Sequence, residues 1–242
     1  YALNLVPILD DEEKLIGVIT SDDIVEVVDE EMGEDYAKLA GLTEEEELDE
    51  SIFKSCKKRL PWLGLLMVLA MIVSLLISSF EKAISTIAVI VFFQSMILGM
   101  AGNCGTQSLA VTIRVLSDEE VDKKKILQII FKEFRIGFIN GLILGILSFI
   151  GVFAFLFFTK KVIISGDTTF ILNDAFMVSI IVSLSLFVAM TISTVVGTII
   201  PIILKKLNID PAVASGPFIS TLNDICAVVI YYGLATLLFI LW

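Results

Sequence analysis

The run that decides the fold is Asp210–Asp224, DPAVASGPFISTLND, which opens the last long apolar segment of the chain. Its final residue, Asp224, is a carboxylate, and the apolar residues Ile225–Ile230 follow it directly. An ionisable residue is costly in hydrocarbon, so it usually faces a bundle interior or a water-filled path. We therefore predict that Asp224 lines a path for cations.

Gly216, Ser220 and Asp224 follow one another at intervals of four residues, which places them on one stripe of a helix. The stripe offers a small residue, a hydroxyl and a carboxylate, a combination suited to hydrated cations. The alternative interpretation is a structural hydrogen bond from Asp224 to another helix, with Asn103, Gln107 or a threonine of the fourth apolar segment as the partner.

A second polar stretch, Gly99–Gln107 (GMAGNCGTQ), lies in the middle of another apolar segment. Irregular backbone at membrane depth is tolerated only where it is buried in protein or lines a cavity. We predict a helix break here that supplies the other half of the ion path. The alternative is close packing of two helices through small residues.

Composition divides the chain into an acidic part and a membrane part. Residues 1–60 carry 18 acids and 6 bases, whereas residues 61–242 carry 10 acids and 11 bases. Hydrophobic residues make up 57% of the chain, above the roughly 45–50% of ordinary soluble domains. The first residues lack the basic start and apolar run of a signal peptide. The chain begins with Tyr1 inside an apparent domain, so we expect a piece of a longer protein.

The chain has no histidine, and its cysteines, Cys56, Cys104 and Cys226, lie far apart. This excludes histidine-based triads and histidine metal sites, and it argues against disulfides and a thiolate zinc site. We expect no enzyme, because an intramembrane enzyme needs paired carboxylates, a Ser–Lys dyad or histidine. The other alternative is a receptor, which would need no polar path, so a fully packed surrounding of Asp224 would favour it. We expect the lipid bilayer as a partner, and no nucleic acid.

Five apolar segments reach the length of about 20 residues that a membrane crossing needs. They are Leu60–Phe80, Ile84–Leu116, Ile136–Phe158, Asp174–Leu204 and Pro211–Trp242, with charged or polar loops at Ser117–Arg135 and Thr159–Asn173 between them. Basic residues gather at 54–59, 114–135 and 205–206, which five crossings put on one side. The positive-inside rule then predicts a cytoplasmic N-terminus and an extracytoplasmic C-terminus.

The first 29 residues read as strand, turn, strand and helix, with Asp22 and Asp23 in the first helical turn. Two strands and a helix cannot close a core alone, so we expect the end of a larger α/β module. The acidic run Glu30–Glu50 that follows suits either a solvated linker or a cytosolic sensor of divalent cations, since hard cations bind carboxylate oxygens.

Magnesium prefers octahedral geometry, keeps several waters and is typically held by one or two carboxylates. A single chain offers only one carboxylate, Asp224, as a ligand. Two chains around a shared axis supply two carboxylates, so we predict a homodimer with its pore at the interface. These arguments leave Mn²⁺, Co²⁺ and a Na⁺-coupled exchange of Mg²⁺ open as alternatives.

The run Val6–Ile24, VPILDDEEKLIGVITSDDI, resembles the closing part of a CBS domain. This resemblance implies a pair of domains that senses nucleotides or ions. ATP or another nucleotide is expected as a ligand only where the full pair is present, so we assign no nucleotide site to this tail.

Five motifs occur in order along the rest of the chain. They are Arg59-Leu60-Pro61-Trp62, Ser79-Phe80-Glu81, Gly102-Asn103-x-Gly105-x-Gln107-Ser108, Lys132-Glu133 and Asp210-Pro211-Ala212 continuing through Gly216-Pro217 to Asp224. Together they resemble the MgtE family of magnesium channels. The resemblance implies an all-α, homodimeric membrane protein with five transmembrane helices per subunit, in the plasma (inner) membrane of a prokaryote. It divides the chain into a CBS remnant (1–29), an acidic connecting helix (30–59) and a channel domain (60–242).

The same resemblance implies roles for individual residues. Mg²⁺ is expected as both the transported and the regulatory ion, entering the cytoplasm and closing the channel from the cytosolic side. The implied pore residues are Asp224, Gly216, Ser220, Gly102 and Asn103. The candidate cytosolic sensing residues are Asp210, Asp22, Asp23, Asp35 and Glu50. Ala101 departs from the family pattern, since a glycine is common there, and Gly216 replaces an asparagine of some members.

Overall fold

The computed structural model describes residues 4–86, 88–117, 122–160 and 172–241. In chain order the elements are β1 (Leu5–Leu9), β2 (Leu15–Thr20), α1 (Ser21–Ala40), α2 (Ile52–Ser78), α3 (Glu81–Thr86), α4 (Val91–Leu116), α5 (Lys123–Thr159), α6 (Leu172–Lys206) and α7 (Gly216–Leu241). Short 3₁₀ turns precede α4 and α7, at Ala88–Ile90 and Pro211–Val213. Among the described residues, α2, α4, α5, α6 and α7 are long and apolar enough to cross a membrane, which confirms the five predicted segments.

The N-terminal unit is a two-stranded antiparallel hairpin followed by α1. Leu5 of β1 pairs with Thr20 of β2. Thr20 then caps α1, because its side chain accepts from the Asp23 backbone N–H while the Asp23 carboxylate accepts from the Thr20 backbone N–H. Apolar side chains of the hairpin stay exposed, such as Leu9 and Ile16 at 52% and 63%. The unit does not close a core of its own, and the larger α/β module stays a prediction.

The connecting helix predicted over 30–59 is divided in the structure. The first helix, α1, ends at Ala40 because Gly41 adopts a left-handed φ of 81° and its N–H bonds back to the last turn. A loop over 41–51 follows, and Ser51 caps the start of α2 by accepting from the Lys54 N–H. The acidic residues in the second half of the predicted connecting helix therefore lie in a loop beside the first turns of α2.

The helix break predicted within Gly99–Gln107 is wrong, because α4 is one continuous helix. The extra length of the predicted segment belongs instead to the end of α3 and to the 3₁₀ turn Ala88–Ile90, which precede α4. Gly102 and Gly105 of the stretch instead allow close packing against α7, which is the alternative interpretation given above.

The loop predicted for Ser117–Arg135 is wrong in its second half, because α5 begins at Lys123. Part of each predicted loop lies outside the described residues, namely 118–121 of this loop and 161–171 of the loop predicted for Thr159–Asn173. The same is true of residues 1–3, residue 87 and Trp242. The helix α5 thus reaches about three turns beyond the apolar segment predicted from Ile136.

Helix α6 is the centre of the bundle and packs against α5, α4 and α7. On α5, Gly137, Gly141 and Gly145 face α6, as their spacing predicts. A Cβ on Gly141 would lie 2.8 Å from the Phe187 backbone O of α6. The helix α2 packs on α7 and leaves most of its apolar side chains exposed, so this helix offers a wide surface to lipid or to a second chain.

Candidate ion pathway

The start of α7 positions the predicted pore residues. Asp210 caps the preceding 3₁₀ turn by accepting from the Ala212 N–H at 2.9 Å. Pro217 lies in the first turn of α7, where backbone N–H groups have no partner within the helix, so the absence of an N–H on proline costs no helix hydrogen bond. Gly216, Ser220 and Asp224 then occupy successive turns of the helix, which is the register their spacing predicts.

The stripe on α7 lies against α4 through small residues. A Cβ on Gly102 would overlap Ser220 Oγ and lie 3.4 Å from Ser220 Cβ. One turn nearer the start of α7, a Cβ on Gly216 would lie 2.9 Å from Thr106 Cγ2. The structure therefore brings Gly216, Ser220 and Gly102 together at one helix crossing.

Asp224 is half-buried and forms no hydrogen bond or ion pair with any other described residue. The alternative hydrogen bond to Asn103 or Gln107 is absent from the part of the chain that the structure describes. The neighbouring Asn223 is fully buried against Gly105, whose Cβ, if present, would lie 3.0 Å from Asn223 Cγ. Asp224 is thus a carboxylate on a helix long and apolar enough to span a membrane, without a neutralising partner among the described residues of the chain.

Asn103 lies apart from this crossing. It is exposed on α4 and lines a cavity of about 530 Å³ with Gln107 of α4 and Asn140 of α5. The cavity is bounded by α4, α5 and α6, and none of the described residues of α7 lines it. The structure therefore does not bring Asn103 against the stripe of α7.

On the proposed cytosolic side, the end of α1 lies against the start of α7. Lys38 Nζ donates to Asp210 Oδ2 at 2.9 Å, and a Cβ on Gly216 would lie 3.5 Å from the Leu39 O. Burial opposes ionisation of Asp210, but its hydrogen bonds from Lys38 and Ala212 outweigh burial and hold its pKa below the ordinary value. The hydrogen bond to Asp210 in turn raises the pKa of Lys38.

Glu50 is paired with basic residues of α2. Its Oε1 accepts from Lys58 Nζ at 2.6 Å and from Lys54 Nζ at 2.9 Å. These hydrogen bonds hold the pKa of Glu50 below its ordinary value, and the bond from Lys58 has the larger effect. Glu46 forms a two-bond pair with Arg59, at 2.8 Å for each bond. A cavity of about 410 Å³ beside these pairs is lined by Glu30, Glu34, Lys38, Thr43, Glu44, Glu45, Glu47, Glu50 and Lys58.

Comparison with known sequences identifies the family. Residues 94–234, more than half of the chain, match the sequence model of MgtE, described as a divalent cation transporter. The chain belongs to the MgtE family. The match covers α4 to α7 almost completely, so it includes the helix crossing of Gly102 with Ser220.

Curated relatives align along nearly the whole chain. The magnesium transporter MgtE of Bacillus subtilis is 41% identical over 236 residues, which is 98% of this chain and 49% of that protein. The magnesium transporters MgtE of Enterococcus faecalis and Thermus thermophilus are 35% and 28% identical, each over 98% of this chain and 48% and 49% of their own lengths. The chain thus spans about half the length of the curated relatives it matches.

The remaining acidic candidates of this MgtE-family protein do not converge. Asp23 is used in the capping box of α1, where its bonds with the Thr20 backbone and hydroxyl lower its pKa. Asp22 is exposed and Asp35 half-buried on the same helix. No group of three or more Asp, Glu, Cys or His residues suited to a metal ion occurs among the described residues. Among the described residues of this chain, the predicted sensing residues do not form a shared metal site.

Sequence reasoning missed Glu133 of the MgtE-family helix α5. The side chain is only 3% exposed, and its Oε2 accepts from Ser108 Oγ of α4 at 2.8 Å. The charges around it suggested a loop, but Ile126, Ile129 and Ile130 continue the buried face at helical spacing toward Gly137. That period was the available signal, and it places a second carboxylate inside the bundle.

Proposed function

We propose that this chain forms the membrane part of a channel that carries Mg²⁺ into the cytoplasm. The names of the relatives, magnesium transporter MgtE, support Mg²⁺ as the ion. The observation that carries the proposal is the position of Asp224, half-buried without a described partner in its own chain and on the same helix stripe as Ser220 and Gly216. A carboxylate in such a place needs water, a cation or a second chain.

A homodimer would complete the path. Helix α4 carries exposed polar residues at helical spacing, namely Ser95, Asn103, Gln107 and Arg114, and two of these, Asn103 and Gln107, line the open cavity beside α5 and α6. Polar side chains on a spanning helix favour a protein or water surface over lipid. A second copy across a two-fold axis would supply a second Asp224, and two carboxylates can hold a Mg²⁺ ion that keeps most of its waters.

The contacts at the start of α7 support control from the cytosolic side. We propose that the gate lies where Leu39 of α1 and Gly41, which follows α1, meet Ser215 and Gly216, since any movement of α1 changes this contact. Cytosolic Mg²⁺ bound by acids of α1 and its neighbours would hold α1 there and favour closure. The candidate ligands are Asp22, Asp23, Asp35, Glu50 and Asp210, and Mg²⁺ would compete with Lys38 for Asp210. A nucleotide enters this scheme only with a complete CBS pair.

The basic ends of the helices support the proposed orientation. Lys57 and Arg59 near the start of α2, Lys123–Lys125 at the start of α5 and Lys205-Lys206 at the end of α6 fall on one side in a five-crossing path. The positive-inside rule makes this side cytoplasmic in the inner membrane of a prokaryote. The N-terminus would then be cytoplasmic and the C-terminus extracytoplasmic.

Uptake into vesicles tests the proposal. The purified chain is reconstituted in liposomes that contain a Mg²⁺-sensitive dye, and Asp224→Ala is compared with Thr221→Ala. Thr221 is a suitable control because its hydroxyl donates to Pro217 O of its own helix, at 2.9 Å. We expect uptake by the parent and the control and loss of uptake in Asp224→Ala.

Equal uptake by Asp224→Ala and the parent would refute the pore assignment. Competition by Mn²⁺ and Co²⁺, and uptake with and without an opposed Na⁺ gradient, separate a Mg²⁺ channel from the other divalent-cation and exchange mechanisms.

A further inference from the structure

The part of α5 that extends past the apolar segment carries an exposed basic stripe. We define this stripe as Lys124, Gln128, Lys132 and Arg135, which are spaced by four, four and three residues. All four side chains lie on the side of α5 opposite Glu133 and Gly137, which are buried in the bundle. Lys124, Lys132 and Arg135 form no ion pair with any described residue.

Among the described residues, apolar side chains rather than acids flank the basic stripe. Leu127, Phe131 and Ile139 are 55%, 55% and 54% exposed, and Ile136 is 37% exposed. Together with the basic stripe they line a groove of about 490 Å³ formed by α5 alone. The groove therefore combines positive charge and hydrogen-bond donors with an apolar wall.

The groove lies at the depth of lipid headgroups. The helix α5 has 37 residues, which is about 55 Å of helix, whereas the hydrocarbon core is about 30 Å thick. Arg135 is the first charged residue before the apolar run that begins at Ile136, and Lys132 lies one turn further out. Phe131 and Ile139 therefore lie on either side of the boundary between headgroups and acyl chains.

We propose that this groove binds an anionic phospholipid. Lys132 and Arg135 contact the phosphate, Gln128 donates to the headgroup, and Ile136 and Ile139 contact the first part of an acyl chain. A soluble phosphate would use the charges but not the apolar wall. A second copy of the chain would bring its own basic stripe to the same face, which repulsion disfavours.

Lipid retention in the gas phase tests the proposal. The chain is purified in detergent, mixed with equal amounts of phosphatidylglycerol and phosphatidylcholine, and examined by native mass spectrometry. We expect the parent to retain phosphatidylglycerol in preference to phosphatidylcholine. Lys132→Gln/Arg135→Gln should bind phosphatidylglycerol about 30-fold more weakly, since each basic residue at a membrane surface contributes about a factor of five. Lys57→Gln removes an exposed charge from the same side of the bundle and should leave retention unchanged.

Equal preference for the two lipids in the parent, or equal retention by the parent and the double variant, would overturn the proposal. The charge-preserving Lys132→Arg/Arg135→Lys should keep most of the preference, and melting temperatures of all variants report their folding. Competition with inorganic phosphate should not displace the lipid, whereas displacement at millimolar phosphate would mean a site for the free anion.

A photoreactive phosphatidylglycerol gives a test on the parent alone, independent of any variant's folding. Crosslinks should fall within residues 127–139, and crosslinks confined to other helices would refute the groove as the binding site.

Discussion

Gly102 of α4 and Ser220 of α7 meet so closely that a Cβ on Gly102 would overlap the Ser220 hydroxyl and lie 3.4 Å from Ser220 Cβ. We predict that Gly102→Ala forces α4 and α7 apart and destabilises the bundle by about 1–3 kcal/mol, the usual cost of overpacking. Thermal unfolding in detergent measures this change, and dye-based uptake shows whether the same separation alters transport.

The matched control is Gly99→Ala, one turn earlier on α4, where an added Cβ meets nothing within 4 Å. Alanine in a helix interior is better than glycine by up to about 1 kcal/mol, so the control should be neutral or stabilising. Equal melting temperatures for the two variants would contradict the close crossing of α4 and α7.

Gly197 of α6 gives a second, more severe packing test. A Cβ on Gly197 would lie 3.0 Å from Gly105 Cα and overlap the Gly105 carbonyl oxygen, so the clash is with backbone and no side-chain rotation relieves it. We expect Gly197→Ala to lower stability by at least as much as Gly102→Ala, about 3 kcal/mol. Gly151→Ala on α5, where an added Cβ meets nothing within 4 Å, serves as the control in the same unfolding assay.

The pair of Glu133 with Ser108 makes a prediction about the buried contact between α5 and α4. Removing the Ser108 hydroxyl leaves a buried carboxylate oxygen without its donor, so Ser108→Ala should destabilise the protein. A double-mutant cycle with Glu133→Gln should give a coupling energy of about 1–3 kcal/mol. Strictly additive effects in chemical unfolding would show that the two side chains act independently.

The spanning helices could be predicted because apolar runs of sufficient length have few other outcomes in a chain of this hydropathy. The register of Gly216, Ser220 and Asp224 followed from their spacing alone. The boundaries were less predictable where charge and burial oppose each other. Lys123–Arg135 resembled a loop because its basic residues dominate the composition, while the buried side of the same helix is marked by only a few isoleucines and Glu133.

The region of Gly102 and Asn103 was predicted incorrectly for a different reason. Glycine-rich segments suit both a helix break and a close helix crossing, and only the partner decides between them. Here Ser220, Asn223 and Gly197 come from α7 and α6, far away in sequence, so local pattern could not supply the answer. The pairing of Lys38 with Asp210 escaped prediction for the same reason, since 172 residues separate them.

That pair leads to a prediction about pH. The folded protein holds the pKa of Asp210 below its ordinary value of about 3.9, so the pair contributes its stability above that value and loses it as pH falls through the lowered pKa. The raised pKa of Lys38 means that the same contribution persists up to about pH 10 and is lost only as pH rises further. Both side chains are partly exposed, so we expect only about 0.2–1 kcal/mol.

The measurement is the difference in melting temperature between the parent and Lys38→Gln. We expect a small, constant difference between about pH 5 and pH 9 that declines below about pH 4 and disappears once pH is below the lowered pKa of Asp210, because protonated Asp210 no longer distinguishes lysine from glutamine. Lys57→Gln removes an exposed charge elsewhere and should show no such dependence. If the difference between the parent and Lys38→Gln instead grew as the pH fell below about 4, the attachment of α1 to the start of α7 would not depend on this ion pair.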